Sequence, residues 1–164
     1  MVRKTYFDIV PVSNASRLTA EDLRSALRRG GYEPADRAGY AWMAPGHERP
    51  GGPVCHILSS SEPRAFFSNT KTLRIYCPVC GREIPKEHWL LEALTSGTSA
   101  FKFFSKCCNS LLNVRELVYD PAVYFSRTAI SVLTQEKNAA PPISLISKLE
   151  ETLGERLDCV ERIC

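Results

Sequence analysis

Four of the seven cysteines in this 164-residue chain fall in one stretch, "YCPVCGREIPKEHWLLEALTSGTSAFKFFSKCCNS", Tyr76 to Ser110. Cys77 and Cys80 have the C-x-x-C spacing that lets two sulfurs meet on one ion. Pro78 fixes φ in the turn, and Gly81 can take the positive φ that aims backbone N–H groups at thiolates. Four thiolates at about 2.3 Å form a closed tetrahedral zinc site of structural type. The second pair, Cys107 and Cys108, has no spacer. Neighbours on an extended strand point to opposite faces, so both reach one ion only if the chain turns there. Asn109 favours such a turn, because Asn tolerates the left-handed region. The spacing predicts a metal set of Cys77, Cys80, Cys107 and Cys108 holding structural Zn2+. It leaves open a three-cysteine site completed by His88, with Cys55 and His56 behind it. A metal-free arrangement, with the cysteines buried as small hydrophobes, is the third reading.

Other cysteine chemistries fit less well. A thioredoxin-like C-x-x-C opens a helix in a βαβ setting, whereas this one follows a strand and continues into Gly-Arg-Glu-Ile-Pro. Cys55 and His56 resemble a nucleophile and base, but adjacent strand residues face apart. Cys159 is expected in the core, and Cys164 as a terminal free thiol. An odd cysteine count argues against a secreted disulfide framework. No G-x-S-x-G, P-loop, G-x-G-x-x-G or H-E-x-x-H occurs, and there are three histidines. A zinc held by four thiolates has no open position at which to generate hydroxide. Only an open site near Glu83 or Glu87 would revive hydrolysis, so the chain is expected not to be an enzyme.

Lys and Arg total 21 against 18 Asp and Glu, a net charge of +3. That is too mild to imply nucleic acid by itself. Arg24, Arg28 and Arg29 read as the solvated face of a helix. Arg82, Lys86, Lys102 and Lys106 surround the cysteines, with Phe101, Phe103 and Phe104 between them as candidate stacking groups. Against that, alternating phenylalanines in a strand usually belong to a core. "MVRKTYFDIV" is broken by Asp8 and has no small-residue cleavage site, so no signal peptide is expected. No apolar run approaches the roughly 20 residues that span a bilayer. These features predict a cytoplasmic protein with no membrane partner.

The elements that must position the cysteines follow from periodicity. "KTYFDIVPV" reads as a strand. In "SRLTAEDLRSALRRGG", Thr19 and Asp22 form a capping box and Leu23, Ala26 and Leu27 a helical stripe, stopped by Gly30-Gly31. Strand pieces at Tyr40–Met43 and Val54–Ser59 flank a Pro/Gly-rich loop, Ala44 to Pro53, that carries His47. "TLRIYC" alternates and delivers Cys77 to the site. A helix is expected from Pro85 to Gly97, with Trp89, Leu90, Ala93 and Leu94 on its apolar side. "AFKFFSK" and "AVYFSRTAISVLTQE" read as strands, "PPISLISKLEETLG" as a helix closed by Gly154, and "ERLDCVERIC" as a last strand. Without a βαβ rhythm, the mixture predicts one α+β domain over residues 1–164, mainly antiparallel with helices on one face. Residues 76–110 form its zinc-knuckle excursion.

The segments "CPVCGREIPKEHW", "FKFFSKCCNSLLN" and "ELVYDPAVYFSR", with the late Leu-rich helix and final strand, resemble a family of small bacterial proteins of undefined function. That family carries a CPxCG knuckle, a Trp-bearing helix, a CCG pair and an LNDL–Tyr–Trp-Pro–Gly-Phe-Ala-Arg segment. The resemblance covers roughly the C-terminal half and implies that Cys77, Cys80, Cys107 and Cys108 act together. This chain has Asn109 where the family has glycine, and Pro121-Ala122-Val123-Tyr124 in the Trp-Pro-x-Gly stretch. Tyr119, Phe125 and Arg127 remain. The family brings no accepted activity.

The expected function is therefore a non-catalytic, zinc-stabilised protein-binding module, with a bacterial immunity or inhibitor protein for a toxin as one such role. Inhibitors of basic nucleases tend to be acidic, so a toxin or effector partner is expected not to be strongly basic. The 44–53 loop is read either as a plain surface loop or as a partner-contacting element. The alternative is a zinc-ribbon nucleic-acid-binding or regulatory protein.

Overall fold

The computed structural model describes residues 4–46, 54–96, 101–134 and 139–163. The loop at 47–53, with His47, and the terminal Cys164 lie outside the described residues, as does Gly97, the expected stop of the middle helix. β1 (Thr5–Pro11) leads into α1 (Ala20–Arg29). The Thr19 hydroxyl accepts from the Asp22 N–H at 3.2 Å, and the Asp22 carboxylate accepts from the Thr19 N–H at 2.7 Å. This reciprocal pair satisfies helix-end donors that would otherwise lack partners. β2 (Glu33–Pro34) and β3 (Ala41–Met43) follow, then β4 (Val54–Phe66) and β5 (Arg74–Tyr76). α2 (His88–Thr95) precedes β6 (Lys102–Phe104), β7 (Leu111–Asn113), a 3-10 turn at Val114–Glu116, and β8 (Val118–Asp120). β9 (Tyr124–Thr134), α3 (Ile143–Leu153) and β10 (Leu157–Ile163) complete the described order.

The protein is α+β. Six strands pair antiparallel in the order β10-β1-β9-β4-β3-β2. The apolar sides of α1 and α3 cover one face. Leu23, Ala26 and Leu27 from α1, and Leu145 and Leu149 from α3, meet Phe7, Ile9, Trp42, Cys55, Ile57, Ile130 and Val132 from the sheet. Alternate residues of the same strands build the other face, where Val10, Phe66, Ala129 and Val160 cluster. Asp8 is buried on that face, accepting from Ser131 Oγ at 2.6 Å and pairing with Arg162 Nε at 3.0 Å.

A second core gathers around α2: Leu90, Ala93 and Leu94 pack with Leu73, Ile75, Cys77, Leu112, Val114, Leu117 and Phe125. Two ribbons wrap it, β5–β8 and β6–β7. Two elements differ from expectation. α2 begins at His88 rather than Pro85, because Glu87 is extended, with its carboxylate held by Lys106 Nζ and Trp89 Nε1, both at 2.6 Å. β4 runs on to Phe66, with its register against β9 shifted between Ser59 and Arg64. The strand expected at Val54–Ser59 thus continues through Ser60, Ser61, Glu62 and Pro63. A bulge lets the strand carry those residues without losing its partner.

Candidate metal centre

The structure brings Cys77, Cys80, Cys107 and Cys108 together: their four Sγ atoms lie within 4.8 Å of one another. Cys77 to Cys108 is 3.6 Å, Cys80 to Cys107 is 3.4 Å and Cys107 to Cys108 is 4.0 Å. Sulfurs around zinc at about 2.3 Å sit at the corners of a tetrahedron with edges of about 3.8 Å. These separations straddle that edge, so the donor set and its spacing fit a closed four-thiolate site.

Local backbone explains how adjacent cysteines converge. In the first knuckle the Cys77 N–H donates to the Arg82 carbonyl and the Gly81 N–H to the Cys77 carbonyl, both at 2.9 Å. Gly81 has φ 71°. In the second, which is the turn of the β6–β7 hairpin, Ser105 N–H donates to the Ser110 carbonyl at 2.9 Å. Asn109 N–H donates to the Ser105 carbonyl at 2.8 Å, with Asn109 at φ 54°. The two turns share one hydrogen-bond register. It equates Gly81 with Asn109 and Cys80 with Cys108, and it puts Ser105 where the first knuckle has Cys77. Cys107 corresponds to Val79 and supplies the remaining sulfur. Because residues 105–110 turn rather than extend, the opposite-face rule for strand neighbours does not apply to Cys107 and Cys108.

Ser105 is the residue that sequence reasoning missed. It is buried, with its Oγ 3.1 Å from Cys108 Sγ, and it accepts from the Ser110 N–H at 3.2 Å. Ser110 Oγ lies 3.3 Å from the same sulfur. The signal was available by aligning S-K-C-C-N on C-P-V-C-G through the residue that takes positive φ.

Donors aimed at sulfur favour the thiolate that a metal needs. The Ser105 hydroxyl, followed by Ser110, holds the Cys108 thiol down at about 6. The backbone N–H of Cys80, joined by that of Val79, lowers Cys77. The neighbouring Cys80 thiol pushes Cys107 up to about 11. Metal binding displaces such protons, and it exploits the donors already in place.

The other candidates fall elsewhere. The His88 side chain is 95% exposed and lies 3.7 Å from Glu92, outside the cluster, so it does not complete the site. Cys55 is buried opposite Trp42 in the sheet core, and burial pushes its thiol up to about 12. It belongs to the face under α1 and α3, and with His56 next on the strand no nucleophile–base pair forms. Cys159 is half-buried against that same core, with its thiol raised to about 11 by burial. Glu87 is engaged by Lys106 and Trp89, which together hold its carboxyl below the usual range. Of the three phenylalanines read as core, Phe103 is half-buried, while Phe101 and Phe104 are exposed. A two-stranded ribbon has one covered side, and Phe104 is on the other.

The same edge of the centre carries an apolar cleft of about 220 Å3, lined by Ile84, Pro85, Trp89, Phe103 and Phe104 with Glu83, Glu87, Lys106 and Cys107. Trp89 meets Phe103 edge-on at 5.0 Å and Phe101 at 5.6 Å. Among the described residues no helix is long and apolar enough to cross a membrane. Comparison with protein-family models, curated proteins and solved structures yields no match.

Proposed function

We propose that the protein is a non-catalytic, zinc-stabilised protein-binding module. The observation that carries this reading is the apolar cleft beside the thiolate cluster. Next to it Phe104 and Leu111, 64% and 55% exposed, face each other across the β6–β7 hairpin. Leaving such side chains in water forgoes about 1.5–3 kcal/mol each relative to burial. An aromatic centre with a charged rim, here Glu83, Glu87 and Lys106, matches the anatomy of protein interfaces. Four sulfurs fill a tetrahedral zinc, so the metal's part in this reading is to hold two hairpins in fixed relation.

The reading extends to an immunity or inhibitor role against a toxin or effector that is not strongly basic, in keeping with the chain's own +3 charge. It includes a cytoplasmic setting, where thiols stay reduced, and the likeness to the small bacterial family with the CPxCG and CCG pattern. The 44–53 loop stays a candidate contact element.

One observation favours the nucleic-acid alternative: Lys102 and Phe104 share the outward side of β6. Against it, Lys86 is occupied with the carbonyls of Thr70 and Lys71, and Lys106 with Glu87. The test is a pull-down from native lysate with Phe104→Glu and Leu111→Lys, checked for retained zinc. A stoichiometric protein partner that survives about 200 mM salt and is lost on substitution supports the module. Captured nucleic acid that dissociates between about 50 and 200 mM salt, and depends on Lys102, overturns it.

A further inference from the structure

A second cavity lies between β4, β9 and the segment entering α1. It measures about 450 Å3, within the range of about 300–1,000 Å3 typical of small-molecule sites. Three arginines line it, Arg17, Arg115 and Arg127, and no carboxylate does. Two other polar cavities differ. The one below α2 sets Arg64 and Arg162 against buried Asp8, and the one between α1 and α3 sets Arg29 and Lys148 against Glu151.

Each arginine is delivered by a different anchored element. Thr128 Oγ1 donates to the Leu18 carbonyl at 3.1 Å, which ties the segment bearing Arg17 to β9. Arg127 stands opposite the bulge, where Ser59 pairs with Thr128 and Arg64 with Ser126. The Arg127 carbonyl accepts from Ser60 Oγ at 3.4 Å. Arg115 sits in the 3-10 turn after the cysteine hairpin, with its N–H bonded to Asn113 Oδ1 at 2.9 Å. Neither Arg17 nor Arg127 forms an ion pair among the described residues. Arg17 and Arg127, both exposed, leave positive charge on the cavity wall that a bound anion offsets. Their planar donor forks match phosphate oxygens, and the Ser59 hydroxyl adds to the cavity wall.

We propose that this cavity binds a small phosphate-bearing ligand through Arg17, Arg115 and Arg127. The site joins the sheet to the cysteine-rich core, since Phe125 of that core lines it too. It is independent of the protein-binding reading and stands or falls separately.

The experiment is calorimetric titration of the zinc-loaded full chain with inorganic phosphate and with ADP, using adenosine as the uncharged control. Zinc content is measured afterwards. Saturable one-site binding of phosphate or ADP is expected, absent for adenosine. Loss of one charge-assisted contact corresponds to about tenfold or more in affinity. Arg17→Ala and Arg127→Ala should each weaken binding by that factor, while Lys148→Ala, outside the cavity, leaves it unchanged. Circular dichroism checks that the variants fold; if Arg127→Ala unfolds, Arg17→Ala, at an exposed position before α1, decides. No saturable binding up to about 10 mM overturns the proposal. Equal affinity in both arginine variants, or binding of a 12-nucleotide oligomer alone, overturns it as well.

Discussion

Removing zinc should open the cysteine-rich core and leave the six-stranded sheet standing. The chain carries its own reporters: Trp42 is buried in the sheet core and Trp89 lies in the second core, against Phe101 and Phe103. A metal joining Cys77 to Cys108 closes a loop of 31 residues. For a covalent cross-link of that length, loop-closure entropy stabilises by about 4 kcal/mol. Structural zinc in finger peptides contributes about 10–16 kcal/mol, so 4 kcal/mol is a floor. At that floor the second core opens about a thousandfold more often without metal. The assay is tryptophan emission and amide exchange before and after a high-affinity chelator under reducing conditions. Wild type should red-shift, and exchange should accelerate in α2 and β5–β8. Trp89→Phe, which leaves Trp42 as the only tryptophan, should show almost no shift. Emission that ignores chelation, or a Trp42 signal that collapses with it, would refute the claim that metal supports one core and not the other.

Leu90→Ala, at a fully buried position on α2, should cost about 2–5 kcal/mol in denaturant unfolding. His88→Ala should leave both zinc content and stability within about 0.5 kcal/mol of wild type, since its side chain is solvent-exposed. Asp22→Asn should cost about 0.3–1 kcal/mol at neutral pH, since the exposed carboxylate sits in the first turn of α1 and Asn keeps an acceptor oxygen. The Asp22 carboxyl is held low first by the Thr19 hydroxyl. Its contribution is therefore complete above the unfolded value of about 3.9 and is lost as pH falls through the lower folded value. Below that, wild type and Asp22→Asn should converge in an acid titration of stability.

Much of the frame was readable from local signals. The Thr19–Asp22 box, the Leu73–Ile75–Cys77 alternation and the Gly154 stop at φ 67° each appear as expected. These depend on a few neighbouring residues, so sequence carries them. The rest depended on tertiary partners. The second half of β4 holds because β9 runs alongside it. Glu87 stays out of α2 because Lys106 and Trp89 hold its carboxylate. The cysteine set was suggested by spacing, but its adjacent pair made sense only once the 105–110 turn was visible. Ser105 was legible only through the alignment of S-K-C-C-N on C-P-V-C-G, because a serine in a ligand's place looks by itself like any other serine. The zinc segment separates Arg17 from Arg115 and Arg127 along the chain, and no local pattern links the three.

The central claim is that Cys77, Cys80, Cys107 and Cys108 hold one structural zinc. X-ray absorption at the zinc edge, on protein purified without chelator and with its metal content quantified, tests it most directly. About one zinc per chain with a sulfur-only first shell near 2.3 Å is the predicted result. A nitrogen or oxygen ligand in that shell, or a reduced and natively folded chain that holds no zinc, would contradict it.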